Sequence, residues 1–241
     1  MLRRLFNGLA NLVYPARCLS CRSALDSHAA GDLICATCLG NIKRNTPPFC
    51  HYCGRQLEKK TLAKNICRGC LKKNLHFDRA FSPCVYEGVA KELIHEFKYR
   101  SKEHLGKPLS TIMLDFIREY RLPVEFIDLV IPVPLAKNRL REREFNQSEI
   151  LARHIAGELK KPLVTECLKR HRSTRRQTDL QPEKRFLNVS GSFSVTNAGE
   201  ITGKNVLLID DVLTTGATSS EAAGSLKNAG ARIVFVLTLA N

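Results

Sequence analysis

The sequence lacks several features that would each assign the chain to a familiar class of protein. It contains no apolar run long enough to cross a membrane and no secretory signal, so we expect a cytoplasmic protein without an integral membrane segment. No Gly-Lys-Ser/Thr sequence occurs, which argues against an ATPase of the P-loop class. Tryptophan is absent and aromatic residues make up 7% of the chain, so few side chains are available to stack on nucleic-acid bases. The visible candidates for such stacking are Phe49, Tyr52, Phe77 and Tyr99.

Positive charge, by contrast, is abundant and unevenly distributed. The 241 residues are enough for a small module and a mid-sized domain, and they carry a formal net charge of +15. Residues 1–80 contain 14 Lys and Arg against four Asp and Glu, whereas residues 81–241 contain 24 against 19. The first third therefore forms a basic module, which suits a polyanion such as a nucleic acid.

Cysteine is plentiful and regularly spaced within this basic module. Eight of the ten cysteines form four Cys-x-x-Cys pairs: Cys18/Cys21, Cys35/Cys38, Cys50/Cys53 and Cys67/Cys70. Thirteen residues separate the first pair from the second and the third from the fourth, and two such pairs complete a tetrahedral S₄ site for Zn²⁺. We predict two structural zinc sites, because disulfides fit poorly without a secretory signal and a redox Cys-x-x-Cys motif usually occurs once.

The spacing leaves the ligand assignment open in two respects. Sequential pairing of neighbouring Cys-x-x-Cys motifs is the simplest arrangement, but interleaved pairing is also compatible with it. His51 lies inside the third pair and is an alternative ligand. Each site would carry about −2, so part of the basic excess would neutralise the metal centres. Cys84 and Cys167 lie outside the repeat and are expected to be buried thiols rather than nucleophiles.

Two domains are expected from this organisation. The first is a double zinc-ribbon module over residues 1–78, and the second covers residues 79–241. Apolar residues at helical spacing between Leu2 and Val13 predict a short N-terminal amphipathic helix that docks on the protein. A helix lying on a membrane surface is the alternative for this segment.

Strand-like and helix-like segments alternate through the second domain, which predicts an α/β fold with a mainly parallel sheet. The predicted strands are 81–86, 126–134, 192–195, 206–209 and 233–239. The predicted helices are 89–97, 109–120, 145–159 and 219–228. Residues 169–186 are polar and strongly basic, and we expect them to form a long loop.

The most informative segment runs from Val206 to Thr218 and reads VLLIDDVLTTGAT. A buried strand ends in two carboxylates, Asp210 and Asp211, at the edge where open α/β sheets bind ligands. The hydroxyl-rich loop and the helix after it suit a phosphate, because free N–H groups and a helix N-terminus attract anions. The carboxylates suit sugar hydroxyls and a hard cation such as Mg²⁺.

This segment resembles the motif that binds phosphoribosyl pyrophosphate (PRPP) in type I phosphoribosyltransferases. The resemblance implies that Asp210 and Asp211 hold the ribose hydroxyls together with Mg²⁺ and are the catalytic carboxylates. It also implies that the loop wraps the 5-phosphate. The loop residues concerned are Thr214, Thr215, Gly216, Ala217 and Thr218.

Other segments make nearly the whole chain similar to the ComF-type competence family. They are Pro132-Val133-Pro134-Leu135, Arg143-Glu144-Phe145-Asn146-Gln147, Arg175-Arg176-Gln177, Arg185, Asn188 and Phe193. The resemblance implies a double zinc ribbon joined to a type I phosphoribosyltransferase-like domain. It also implies a role in natural transformation, in which incoming single-stranded DNA is handled alongside other DNA-uptake proteins. Glu144 is a departure, because the family usually has glycine there.

The same resemblance assigns two further loops to the ligand. The loop from Pro132 to Arg139 would bind pyrophosphate through Pro134, Leu135 and Arg139. A mobile loop over residues 170–186 would close over the ligand and supply Arg175. Further cationic candidates are Lys98 and Arg100, and the arginines expected to contact DNA are Arg139, Arg143, Arg172 and Arg176. An ordinary solvated surface is the alternative for these arginines.

Two hypotheses of function follow. In the first, the chain handles single-stranded DNA on a scaffold that binds PRPP. In the second, it is an active phosphoribosyltransferase of nucleotide metabolism. The sequence names no acceptor for that reaction, because neither a base-binding hood nor an N-terminal glutaminase nucleophile is recognisable.

Overall fold

A four-stranded parallel sheet forms the centre of the protein. The structure is a computed structural model that describes residues 16–25, 33–57, 65–99, 102–171 and 184–241. The strand order is β1-β6-β5-β2, with β1 (Arg79–Phe81), β2 (Leu129–Pro132), β5 (Asn205–Val212) and β6 (Ile233–Ala240). β5 and β6 are nearly continuous apolar runs, as expected for parallel strands covered on both faces.

All four strands end at the same edge of the sheet. Pro132 of β2 pairs with Ile209 of β5, and Asp210 pairs with Thr238 of β6. The acidic pair therefore follows directly on the apolar part of β5, beside the turn that leaves β2.

Helices cover both faces of the sheet. They are α1 (Ala36–Gly40), α2 (Gly88–Tyr99), α3 (Gly106–Glu119), α4 (Lys137–Arg143), α5 (Gln147–Leu159), α6 (Lys184–Val189) and α7 (Ala217–Asn228). Helices α2, α3 and α5 share one core, in which Phe97, Met113 and Leu151 are fully buried. Helix α7 packs in a second core, through Ala222 and Leu226. This layering confirms the predicted α/β fold class.

A separate antiparallel pair lies beside the α7 core. It consists of β3 (Leu168–Arg170) and β4 (Phe193–Val195), with Arg170 opposite Phe193. Leu168 and Phe193 are buried in the same core as α7. The predicted loop over 169–186 thus begins within a strand and ends within α6, and residues 172–183 lie outside the described residues.

The strand predicted at 81–86 is displaced, since β1 shares only Phe81 with it, and the strand predicted at 126–134 is shorter than expected. β1 ends at Phe81, because Pro83 has no N–H to donate to a ladder, and Cys84 makes only isolated bridges. β2 occupies the middle of the predicted segment 126–134, since residues Val124–Phe126 form a 3₁₀ turn. The basic stretch after β2 is helical and forms α4, which the sequence did not predict.

The cysteine-rich region packs directly on the sheet. The Ala80 N–H donates to the Tyr52 carbonyl at 2.7 Å, and Asn241 Nδ2 donates to the Cys53 carbonyl at 2.9 Å. Gly54 has a φ of +68°, and a Cβ there would lie 2.5 Å from the Ala80 oxygen, so this close approach requires glycine. The division into domains at residue 78 stays a prediction, because these contacts join the two parts.

The N-terminal helix predicted between Leu2 and Val13 lies outside the described residues. Within the described ranges, no helix has the length and apolar character needed to cross a membrane.

Candidate functional site

A cavity of about 390 Å³ opens at the carboxyl edge of the sheet. The predicted site residues that line it are Asp210, Asp211, Thr214, Thr218, Pro134, Leu135, Arg139 and Arg143. Because β2 and β5 are neighbours, their carboxyl ends deliver the turn after β2 and the acidic pair to one place. The cavity therefore brings together two segments that lie far apart in the sequence.

Asp210 is a largely enclosed carboxylate held by three donors. Ser148 Oγ donates to Oδ1 at 3.2 Å, and the Asp211 N–H donates to the same oxygen at 2.9 Å. Ser219 Oγ donates to Oδ2 at 3.1 Å. Loss of hydration, reinforced by the charge of Asp211, raises the pKa of Asp210 to about 6. The carboxylate is therefore fixed in orientation and ionised above that pH.

Asp211 forms an ion pair with a lysine from helix α2. Lys98 Nζ, near the end of α2, lies 2.8 Å from Asp211 Oδ2, and the two side chains are 17% and 14% exposed. The lysine therefore occupies one oxygen of this carboxylate. A ligand at Asp211 must therefore share this oxygen with Lys98 or displace it.

The phosphate loop, defined here as residues 213–218, connects β5 to α7. Gly216 caps the helix with a φ of +82°, a conformation that side chains rarely tolerate. The Ala217 N–H donates to Thr215 Oγ1 at 3.4 Å, which starts the first turn. Thr214 and Thr218 line the cavity, whereas Thr215 and Gly216 line a smaller hollow of about 50 Å³ behind the loop. The N-terminus of a 12-residue helix thus meets the loop, an arrangement that attracts anions.

Arg143 is a buried cation in the cavity wall. It is 7% exposed, and its Nη1 donates to Gln147 Oε1 at 3.0 Å. Its guanidinium lies 5.2 Å from the ring centre of Tyr99, and its buried Nε has no hydrogen-bond partner among the described residues. A DNA contact by Arg143 would require the strand to enter the cavity, whereas an anionic ligand in the cavity would meet it directly.

Arg170 is a second cation in the cavity wall and is half-buried, and the sequence did not single it out. It lines the cavity from β3, and its guanidinium lies 5.2 Å from the ring centre of Phe193. Burial lowers the pKa of Arg170, and the neighbouring charge of Arg139 lowers it further. Such crowding of cations suits a ligand with several negative charges.

The remaining side chains of the cavity include several that sequence patterns did not indicate. They are Tyr86, Lys91, Ser148 and Arg170. Each comes from a different element, and only the three-dimensional fold places it near Asp210. The predicted residues Arg100, Arg172, Arg175 and Arg176 lie outside the described residues, so their roles stay predictions.

Glu144 occupies the position where the family resemblance implies glycine. It caps α4 with a φ of +69°, and its N–H donates to the Leu140 carbonyl at 2.8 Å. The left-handed conformation explains a preference for glycine at this place, because glycine adopts it without strain.

The aromatic residues proposed for base stacking differ in accessibility. Phe77 is 2% exposed, and Phe49 packs edge-on against Phe116 and Tyr120. Tyr99 is 45% exposed. Of these three residues, Tyr99 is the most exposed, and it also lines the cavity.

The eight repeat cysteines gather into two four-sulfur clusters. One contains Cys18, Cys21, Cys35 and Cys38, and the other contains Cys50, Cys53, Cys67 and Cys70. In each, the sulfur atoms lie within 4.8 Å of one another, which corresponds to sequential pairing without His51. In both clusters a backbone N–H donates to a sulfur atom. The Cys35 N–H lies 3.4 Å from Cys18 Sγ, and the Cys67 N–H lies 3.3 Å from Cys50 Sγ, measured from the nitrogen. This donor set fits structural Zn²⁺, because four thiolates leave no open coordination position.

The two cysteines outside the repeat are enclosed thiols. Cys84 is 1% exposed and Cys167 is 2% exposed. Burial raises the pKa of each thiol to about 11, so both are protonated and unreactive at neutral pH.

Comparison with known proteins gives matches over most of the chain. Residues 9–73 match the family described as "Double zinc ribbon domain", and residues 146–241 match "Phosphoribosyl transferase domain". Competence protein F of Haemophilus influenzae is 29% identical over 93% of this chain and 96% of its own. DNA utilization protein YhgH of Escherichia coli is 29% identical over 95% of this chain and 98% of its own. Competence protein ComFC of Bacillus subtilis is 27% identical over 82% of this chain and 79% of its own.

These matches agree with the arrangement that the structure shows, in which two four-cysteine clusters precede a parallel sheet with an acidic pair at its carboxyl edge. The chain is a homologue of the ComF-type competence proteins, built from a double zinc ribbon and a phosphoribosyltransferase-type domain.

Proposed function

We propose that this protein binds PRPP or a related phosphorylated ribose in the cavity and handles incoming single-stranded DNA during natural transformation. One observation carries the first part: an acidic pair, a threonine-rich loop and three arginines, of which Arg143 is buried, line a single cavity. Homology to competence protein F and ComFC supports the second part. The thiol-rich ribbons favour a reducing compartment, which we take to be the cytoplasm.

In the proposed complex, the ribose lies over the acidic pair. Asp210 and Asp211 accept hydrogen bonds from the sugar hydroxyls, and the donors around Asp210 keep its carboxylate oriented for this contact. Thr214 and Thr218 donate to the 5-phosphate at the N-terminus of α7.

The pyrophosphate lies against the arginine wall. Arg139, Arg143 and Arg170 all line the cavity and offer donors to an anion with several charges. The unpartnered Nε of Arg143 supports this placement, because a buried donor without an acceptor is costly unless a ligand satisfies it. Pro134 and Leu135, in the turn after β2, line the same cavity as these arginines.

Mg²⁺ fits the oxygen donors of this cavity, since carboxylates and phosphates are its preferred ligands. When bound, the ion would neutralise part of the charge on the pyrophosphate. Asp211 is the carboxylate that would hold it, because the oxygens of Asp210 already accept three hydrogen bonds. Lys98 competes for the same oxygen, so Lys98 would have to turn toward the pyrophosphate when the ion binds.

Single-stranded DNA would bind through phosphate contacts on the ribbons. Exposed cations of the described ribbon residues include Arg17, Arg44, Arg55, Arg68 and Lys72. Of the four arginines predicted for DNA, Arg139 and Arg143 line the cavity, so a strand that contacts Arg143 would have to enter it. Other DNA-uptake proteins are proposed partners in the same process.

An active phosphoribosyltransferase is the second candidate. Tyr86 and Tyr99 lie in the wall of the cavity and offer aromatic faces to an acceptor base. In such a reaction the acidic pair and the arginines would stabilise charge on ribose and departing pyrophosphate.

Calorimetric titration of the zinc-loaded protein with Mg²⁺·PRPP tests the ligand. We expect one site per chain, and we expect Asp211→Asn to weaken binding by about tenfold or more, as loss of a charged hydrogen bond does. Asp115→Asn is the matched control, because Asp115 is 61% exposed and pairs only with its neighbour on α3, Arg118. Absence of heat with the wild type, or equal affinity of both variants, would contradict the assignment.

DNA binding is tested by the salt dependence of affinity for an unstructured oligonucleotide. We expect log K to fall linearly with log salt, by about 0.7 per phosphate neutralised. Reversal of ribbon charges, for example Arg55→Glu with Arg68→Glu, should reduce the slope. Weak binding of DNA without salt dependence would contradict the proposed role of the ribbons in DNA binding.

A further inference from the structure

The second ribbon touches the phosphate loop from behind. We use the name second ribbon for residues 49–57 and 65–75, which carry the second four-cysteine cluster. The small hollow behind the loop lies between the two and is lined by Cys53, Cys70 and Lys73 on one side and by Thr215 and Gly216 on the other. The metal centre and the loop therefore share a boundary.

A lysine of the second ribbon donates directly to the backbone of the loop. Lys73 Nζ lies 2.9 Å from the carbonyl oxygen of Thr215. The backbone N–H of Lys73 donates to the carbonyl of Cys70 at 3.1 Å, and Cys70 is a member of the second cluster. Only two residues of chain thus separate the cysteine of the predicted metal site from the side chain that holds the loop.

The residues after Lys73 continue the same contact. A Cβ added at Gly216 would lie 3.5 Å from Leu75 and 3.7 Å from Phe77, so both side chains pack against this glycine. The His76 N–H donates to Ser220 Oγ at 3.0 Å, in the first turn of α7. The loop is supported by hydrogen bonds and by apolar packing from one short segment.

The hydrogen bond to Thr215 has a consequence for anion binding. The peptide between Thr215 and Gly216 is planar and trans, so its C=O and N–H point in opposite directions. When Lys73 holds the carbonyl on the ribbon side, the N–H of Gly216 points away from the ribbon. A phosphate held by this loop needs such N–H groups on the cavity side.

We propose that the metal-loaded second ribbon sets the conformation of the phosphate loop through Lys73, which makes Lys73 a positioning residue for a ribose 5-phosphate group. The inference rests on the proposed function for its ligand. It predicts that Lys73 affects the phosphate end of the ligand and leaves the pyrophosphate end unaffected, because Arg139, Arg143 and Arg170 come from other elements.

The first test is titration of zinc-loaded Lys73→Met with ribose 5-phosphate and, separately, with inorganic pyrophosphate. We expect affinity for ribose 5-phosphate to fall about tenfold, the loss typical of a charge-assisted hydrogen bond, and affinity for pyrophosphate to stay unchanged. Lys73→Arg keeps a cationic donor and should recover part of the loss. Lys43→Met is the control, because Lys43 pairs with Glu87 at 2.8 Å and is 63% exposed.

The second test needs no ligand. Hydrogen–deuterium exchange of the peptide covering residues 213–220 should be faster in Lys73→Met than in the wild type or in Lys43→Met, with two zinc ions retained. If the wild type binds no ribose 5-phosphate, the proposed function fails, while this exchange experiment still decides the inference. Equal exchange in Lys73→Met and wild type, or equal loss of affinity for both ligands, would overturn the role of Lys73.

Discussion

The two ribbons have the same cysteine spacing but are attached to different walls of the cavity. The first ribbon, which carries the cluster of Cys18, Cys21, Cys35 and Cys38, contacts α2 through side chains. Ser20 Oγ donates a hydrogen bond to Glu92 at 2.7 Å, and Arg22 forms an ion pair with Glu96 at 2.7 Å. Lys98 and Tyr99, at the end of this helix, line the cavity. The second ribbon instead contacts the phosphate loop, in part through a bond to its backbone.

This difference indicates unequal roles for two similar modules. Arg22 is 49% exposed, so water competes for the ion pair that anchors the first ribbon. The second ribbon donates a direct hydrogen bond to the loop that we propose to bind phosphate, and buried Phe77, which follows the ribbon, packs against Gly216 of the same loop. We therefore expect ligand affinity to depend more on the second metal centre than on the first.

The largest effect should come from removal of one ligand in each cluster. Cys53→Ser and Cys21→Ser form a matched pair, and each should reduce the zinc content from two to one per chain. Because metal binding supplies much of the folding free energy of a ribbon, both variants should have a lower Tm. We expect Cys53→Ser to lower affinity for ribose 5-phosphate by more than about tenfold, and Cys21→Ser by much less. Equal losses of affinity in the two variants, or a larger loss in Cys21→Ser, would contradict the unequal roles of the two ribbons.

The next largest effect is expected on thermal stability, when Asp210 is replaced. The raised pKa of Asp210 means that the folded state binds a proton more tightly than the unfolded state, so stability falls as the pH rises from about 4 to about 6, by at most about 3 kcal/mol in total. Asp210→Asn should therefore raise Tm at pH 8 while it abolishes ligand binding. The gain in Tm should shrink as the pH falls through 6, and thermal denaturation across this range measures it. A lower Tm at pH 8, or a difference that does not vary with pH, would show that the raised pKa is not a source of instability.

A smaller effect is expected at the attachment of the first ribbon. Arg22→Met leaves the carboxylate of Glu96, whose side chain is 9% exposed, without one of its cationic contacts. We expect a loss of stability of about 1 kcal/mol in chemical denaturation, since Arg22 itself is half exposed. Hydrogen exchange in residues 213–218 should not change, in contrast to Lys73→Met. Faster exchange there would mean that both ribbons act on the phosphate loop.

The smallest effect should come from Lys43→Met. Its ion pair with Glu87 joins side chains that are 63% and 54% exposed, and such pairs contribute less than about 0.5 kcal/mol. Denaturation midpoints of wild type and variant should coincide within error. A clear loss would mean that the surface contacts of the ribbons matter more than their exposure indicates.

The parts of the site that could be predicted from the sequence are those built from contiguous residues. The strand, acidic pair and loop of residues 206–218 are local, so their order already indicates a strand end, two carboxylates and an anion site. The same holds for the Cys-x-x-Cys pairs, because each pair directs two sulfurs to one point.

The contacts that could not be predicted join distant segments. Ser148 and Asp210 are 62 positions apart, and Lys73 and Thr215 are 142 apart. No periodicity or motif connects such pairs, since their proximity depends on how the helices and ribbons pack on the sheet. The place of Arg170 in the cavity could not be predicted for a related reason. It lies in a short strand within a basic segment, and such a segment has the composition of a loop.

A crystal structure with Mg²⁺·PRPP, recorded at the zinc absorption edge, would test the central claim most directly. We predict anomalous peaks at both four-cysteine clusters, ribose over Asp210 and Asp211, and the 5-phosphate against the loop held by Lys73. An empty cavity at saturating PRPP, or a ligand bound away from Asp210, would contradict the account.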